Sequence, residues 1–221
     1  MLKEIVIAAY DKPIDWLQSL NPDVKRTTYR KGDLLPLAEG ETLIEPNLGR
    51  CVHSFFHHIY TNYDNLADYT FFSQDFPFDH WGNIIEIING DINAISSNAS
   101  IRIGGYYGYH NNTLGTAWPM PLSQQFGNGN VLMCLSNGHP QDLNPLINVD
   151  KYWSILFDCD KPNNYEFIPG GHFIITKEHV KLRSKEFYKN ITQLLVDDVT
   201  APWMIERLEC YIFNPKYKTK L

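Results

Sequence analysis

The stretch Tyr69-Thr70-Phe71-Phe72-Ser73-Gln74-Asp75-Phe76-Pro77-Phe78-Asp79-His80 decides how the rest of the chain is read. Tyr69–Ser73 is a continuous apolar run of strand length, the pattern of a strand covered on both faces. Two carboxylates and an imidazole follow it directly, with Pro77 forcing a turn between the carboxylates. Three further runs of the same kind are Glu4–Ala9, Ser154–Asp158 and Gly171–Thr176, each bounded by turn-forming residues. Between them, Ile14–Leu20, Gly49–Tyr63, Trp81–Ile95, Lys177–Leu195 and Pro202–Phe213 carry a helical period. Strands alternating with helices predict an α/β fold whose central sheet is mostly parallel and flanked by helices. Ligands of such sheets bind beyond the carboxyl ends of the strands. The residues there are polar: Tyr10, Asp11 and Lys12 after the first run, Gln74 to His80 after the second, and Asp158 to Asp160 after the third.

With 221 residues, 43% of them hydrophobic and 14% aromatic, the chain suits one sizeable core, so residues 1–221 are read as a single domain. A formal net charge of −6 without a Lys/Arg-rich run disfavours a nucleic-acid partner. Cys51, Cys134, Cys159 and Cys210 lie far apart, with neither zinc-knuckle nor disulfide-scaffold spacing, and are read as reduced and mostly buried. No segment approaches the ~20 apolar residues of a membrane span, and the apolar start is too short for a signal peptide. A cytoplasmic location is expected. From Ile103 to Asn130 the chain is rich in Gly, Asn, Tyr and Pro without a period and reads as a long loop, either a binding lid or a mobile excursion.

Four constellations carry candidate chemistry. Asp75, Asp79 and His80 at a strand end suit a hard divalent cation, although Asp75 also reads as a turn cap and Asp79 as a helix N-cap. Asn47-Leu48-Gly49-Arg50 delivers a glycine and an arginine to a helix start, where an anion binds well. The same residues also read as an ordinary turn with a surface arginine. His53, His57 and His58 on that helix lack the glutamate of a zinc-protease pattern and read as packing or surface histidines. Gly170-Gly171-His172 opens a strand and lets a ligand approach the backbone, or else is an architectural turn. In Pro202-Trp203-Met204-Ile205-Glu206-Arg207, Glu206 reads as a general base beside an aromatic sugar platform, or as one partner of a surface ion pair.

In order, Ile5–Tyr10 with Trp16, Pro46–Arg50, His57–Leu66, Phe71–His80, Pro169–Phe173 and Glu206–Phe213 resemble a family of small GT-A-type glycosyltransferases of large algal viruses, bacteria and fungi. The resemblance spans nearly the whole chain, and Gln74-Asp75-Phe-Pro-Phe-Asp79-His80 and Glu206-Arg-Leu-Glu-Cys-Tyr-Ile-Phe213 are its more specific parts. It implies a Rossmann-like nucleotide-sugar fold and transfer from a nucleoside-diphosphate sugar, UDP-linked by preference, to a glycan acceptor, with inversion. It also implies that Ala9, Tyr10, Asn47, Gly49, Arg50, Gln74 and Asp75 hold the donor, and that Mn²⁺ or Mg²⁺ sits on Asp75, Asp79 and His80. Glu206 is then the catalytic base, and Gly170, Gly171, His172 and Trp203 face the acceptor, with Tyr106, Tyr107 and Trp118 as further stacking faces. The strict Asp-x-Asp of GT-A enzymes is replaced here by Asp75-x-x-x-Asp79-His80. Competing readings are a nucleotidyltransferase that forms nucleotide sugars, and a non-catalytic carbohydrate-binding protein on the same fold.

Overall fold

A computed structural model of the chain describes residues 1–31, 37, 39–44, 47–91, 95, 99, 101–109, 120–121, 130–131, 147–162, 164–165, 168 and 170–220. In chain order its elements begin with β1 (Lys3–Ala9), a 3₁₀ turn (Asp15–Ser19), β2 (Lys25–Arg30), β3 (Glu41–Leu43), α1 (Arg50–Thr61), β4 (Tyr69–Gln74) and α2 (Ile84–Asn89). They continue with β5 (Ile101–Ile103), β6 (Tyr106–Tyr109), β7 (Met120–Pro121), β8 (Asn130–Val131), β9 (Ile147–Asn148), α3 (Val149–Leu156) and β10 (Asn164–Tyr165). The last are β11 (His172–Thr176), α4 (Lys177–Val180), α5 (Lys185–Asp197) and α6 (Ala201–Ile212).

Seven strands form the central sheet in the order β3-β2-β1-β4-β11-β6-β5, while β7 with β10 and β8 with β9 make two small pairs. The mixed α/β class agrees with the sequence reading, but the sheet is not mostly parallel. β3, β2, β1 and β4 run parallel, whereas β11, β6 and β5 pair antiparallel to their neighbours. A buried strand presents the same apolar run in either direction, so the sequence carries no sign of this. β1 alternates Ile5 and Ile7 into one core and Val6 and Ala8 into the other. α1, α5 and α6 cover the second face, where Phe55, Phe72, Phe173, Met204 and Phe213 are buried. Trp81, Ile84 and Ile88 close the first around Phe71 and Ile174.

Three further expectations are corrected. Ser154–Asp158 is not a strand: α3 covers most of it, because Tyr152, Trp153, Leu156 and Phe157 are buried at helical spacing against the segment that carries Tyr211 and Tyr217. The helix foreseen over Lys177–Leu195 is two helices. Ser184 caps the second by accepting from the Phe187 N–H at 3.0 Å, and Arg183 between them donates to the carbonyls of Ile212, Asn214 and Tyr217. The supposed long loop begins as the β5–β6 hairpin, which leaves Tyr106 fully buried against Phe213 and unable to stack on a sugar. The rest of that loop is largely outside the described residues, Trp118 with it. Pro46, Pro169 and Cys134 lie outside as well. No described helix is long and apolar enough to cross a membrane.

Candidate functional site

The chain runs β1, β2, β3 outward on one side of β1 and then crosses through α1 to β4 on the other. That reversal opens a crevice at the carboxyl ends of β1 and β4, where α/β sheets bind ligands. A cavity of about 610 Å³ lies there, lined by Ala8, Ala9, Tyr10 and Asp11 from β1, Gln74 and Asp75 from β4, and Lys31 from the end of β2. Its far wall is Asn47 to Cys51 at the start of α1, with Leu195 and Val196 from the end of α5, Val199 just beyond it, and Pro202 and Trp203 from α6. The size falls within the ~300–1,000 Å³ usual for small-molecule sites.

Asp75 organises this mouth. Its Oδ2 accepts main-chain N–H groups from Tyr10, Asp11 and Lys12 at 2.8, 3.2 and 3.0 Å, its Oδ1 accepts from Phe76 at 3.0 Å, and its carbonyl accepts the Trp16 indole N–H at 2.8 Å. The side chain is therefore a clamp on the β1 exit loop. Asp79 is exposed and faces His80, with Oδ2 3.6 Å from Nε2, and neither residue lines the cavity. Among the described residues no group of three His, Cys, Asp or Glu side chains could hold a metal ion, so Asp75, Asp79 and His80 are not brought together as a metal set. A Mn²⁺ or Mg²⁺ ion does not fit Asp75 well: four N–H dipoles already point their positive ends at its carboxylate.

Gly49 and Arg50 stand at the start of α1 as the sequence predicts. Gly49 has φ +70°, and a Cβ there would lie 2.6 Å from the His53 Cβ and 2.8 Å from the Leu195 carbonyl oxygen, so only glycine fits. Arg50 follows at φ +54°, in the left-handed region, with its guanidinium carbon 5.0 Å from the centre of the Trp203 ring. Lys31 was not foreseen, because β2 was missed. Its N–H donates to the Ala9 carbonyl at 2.9 Å, the side chain is 3% exposed, and Nζ donates to the Leu48 carbonyl and lies 3.3 Å from His53 Nδ1. The β-prone Thr27-Thr28-Tyr29 before it was the available signal.

The antiparallel direction of β11 brings its first residues to the carboxyl end of β4, beside the cavity. Gly170 and Gly171, at φ +91° and +63°, turn the chain there. The Gln74 Nε2 donates to the Gly170 carbonyl at 2.9 Å, and the Gly170 N–H donates to Glu206 Oε1 at 2.9 Å. Glu206 is thus held on Gly170, one turn beyond Trp203; it does not itself line the cavity and is not in an ion pair with Arg207, whose Nη1 donates to the Trp203 carbonyl. His172 is buried, its ring 5.8 Å from that of His80. Asp158 and Asp160, the polar residues after the third run, line a separate depression with Trp153 and Lys220.

Two further acids are buried in the fold. Glu4 on β1 accepts from the Thr27 hydroxyl at 2.6 Å and meets His58 Nε2 at 3.7 Å, while His58 Nδ1 is 3.0 Å from the Tyr29 hydroxyl. The histidines of α1 are therefore packing groups. Glu209 on α6 is 1% exposed, and neither carboxyl oxygen has a hydrogen-bond partner among the described residues. Burial first, and the charge of Glu206 second, hold its carboxyl well above the ordinary 4.5. The unfolded chain then releases a proton near that ordinary value that the folded chain keeps, so stability falls as pH rises above about 4.5. Glu209→Gln removes this dependence. Its melting temperature should exceed that of the wild type at about pH 7.5, by roughly 2–4 °C for each kcal/mol recovered, and match it near pH 4. A difference that stays constant across that range would show that the carboxyl ionises like an exposed one.

A family model described as "Protein of unknown function (DUF3431)" matches residues 5–219. No curated protein and no solved structure matches the chain.

Proposed function

The chain belongs to the DUF3431 family, and from its crevice we propose that it is a glycosyltransferase. In this reading it takes a nucleoside-diphosphate sugar, UDP-linked by preference, and transfers the sugar to a glycan hydroxyl. The observation that carries the reading is one cavity at the β1–β4 reversal with cationic side chains in its wall, and a carboxylate, Glu206, joined to its lining residue Gln74 through Gly170. The nucleotide lies across Ala9, Tyr10 and Asn47, and the diphosphate meets the start of α1 at Gly49 and Arg50. Trp203 offers a flat face for a sugar ring. The acceptor enters over Gly170 and Gly171, where missing side chains leave room.

The chemistry is a single displacement. The acceptor oxygen attacks the anomeric carbon, its proton passes to Glu206, and the carbon–oxygen bond to the diphosphate breaks with its electron pair leaving on the nucleoside diphosphate. Cationic groups and N–H dipoles stabilise the charge that grows on the leaving group. With acceptor and base on the face opposite the leaving group, the configuration inverts.

The test is a set of nucleotide sugars scored for slow hydrolysis, beside thermal shifts with UDP, nucleoside triphosphates and free sugars. Hydrolysis of a UDP-sugar and a shift with UDP are expected; a ligand at 100 times its Kd raises stability by about 2.7 kcal/mol. A shift with triphosphates and pyrophosphate release would point to a nucleotidyltransferase instead. Response to sugars alone would make the chain a binding protein.

A further inference from the structure

We propose that Lys31 and Arg50, rather than a divalent cation, are the counter-charges for the diphosphate in this cavity. The inference rests on the donor-site reading above. Lys31 is buried in the cavity wall, and among the described residues its ammonium has only neutral partners, the Leu48 carbonyl and the His53 imidazole. No ion pair is formed by it among the described residues. An ammonium without a counter-ion is costly to bury, and the cost is relieved when an anion enters beside it. Arg50 adds a planar fork at the same mouth, at the start of a twelve-residue helix whose N-terminal N–H groups face the same space. Its left-handed φ of +54° is a strained backbone state for a residue with a side chain, sustained where the guanidinium is held against Trp203.

The acidic side of the cavity points the same way. Asp75 is the carboxylate a metal would need, and its oxygens receive main-chain N–H groups from both strands' exit loops. Those N–H groups repel a cation. The positive potential in the wall is that of Lys31 and Arg50, and it meets a phosphate chain directly.

Burial draws the Lys31 pKa down to about 8, so its charge is present at neutral pH and titrates just above it. Its titratable neighbours on α1 are shifted away from that range. On α1, burial takes His53 down to about 3, lowers His57, and pushes the Cys51 thiol up to about 12. The side chains of Tyr10, Asp11 and Asp75 face Lys31 from the other wall of the cavity.

Calorimetric titration of the full chain with UDP and with inorganic pyrophosphate, in EDTA and again with Mn²⁺, tests the assignment. Both ligands should bind in EDTA, UDP the more tightly, and affinity should fall as pH rises through about 8. Lys31→Met should weaken both by tenfold or more and flatten the pH profile, in line with the loss of a charge-assisted hydrogen bond. Arg50→Gln, at an exposed position that the core does not need, should weaken both by a similar factor. Affinity that appears only with Mn²⁺ overturns the inference and leaves the donor site standing. Folded variants with wild-type affinity in EDTA overturn it too, and no UDP binding under either condition removes the inference and the donor site together.

Discussion

Asp75→Ala should lower stability by about 3 kcal/mol and abolish binding at the cavity mouth, whether or not a metal ion is supplied. Four main-chain N–H groups lose their acceptor at once. Each charge-assisted bond is worth about 1.5–3 kcal/mol, but Tyr10, Asp11 and Lys12 are exposed, so water replaces much of what their N–H groups lose. A melting temperature lower by roughly 6–12 °C is the expected reading for a chain of this size. Without its clamp the β1 exit loop no longer forms the cavity's near wall, and UDP affinity goes with it. Asp75→Asn keeps one acceptor oxygen and should fall between the two. An alanine variant that melts like the wild type and loses only a Mn²⁺-dependent signal would instead make Asp75 a metal ligand.

Glu206→Gln should cut sugar transfer by about 10²–10⁴-fold while UDP affinity stays within a factor of two or so. Glutamine retains an oxygen that accepts the Gly170 N–H, so the glycine turn and the Gln74 contact persist. Only the proton acceptor is removed. Donor hydrolysis should fall less than transfer, because water needs a base less stringently placed than a bound acceptor does. The anomeric configuration of the product, read by NMR, checks the same assignment: inversion fits one base on one face. Near-normal transfer by the variant, or retention in the product, would remove Glu206 from the chemistry.

Local pattern alone determined a good deal here. The apolar runs at Glu4–Ala9 and Tyr69–Ser73 became β1 and β4, adjacent in the sheet, because runs that rich in buried residues have no other place than its centre. Gly49 before a helical period marked the start of α1, and Pro202 marked that of α6. The polar residues that follow the two strands were therefore recognisable as crevice residues, and Ala9, Tyr10, Asn47, Gly49, Arg50, Gln74, Asp75 and Trp203 do line one cavity. Only the tertiary structure decided the rest. The direction of β11 depends on which edge of β4 it meets, and hydrogen-bond pairing between distant segments leaves no mark on either sequence. That direction is what carries Gly170 to Glu206 and Gln74. The short apolar run at Ser154–Asp158 suits helix and strand equally, and packing of Trp153 and Phe157 chose the helix. Asp75 reads as a metal ligand in the sequence because a carboxylate's residue type does not tell what approaches it; in the fold its Oδ2 accepts the main-chain N–H groups of three residues some 65 positions away. Lys31 gained its importance from burial alone, a property of the folded cavity and of no motif.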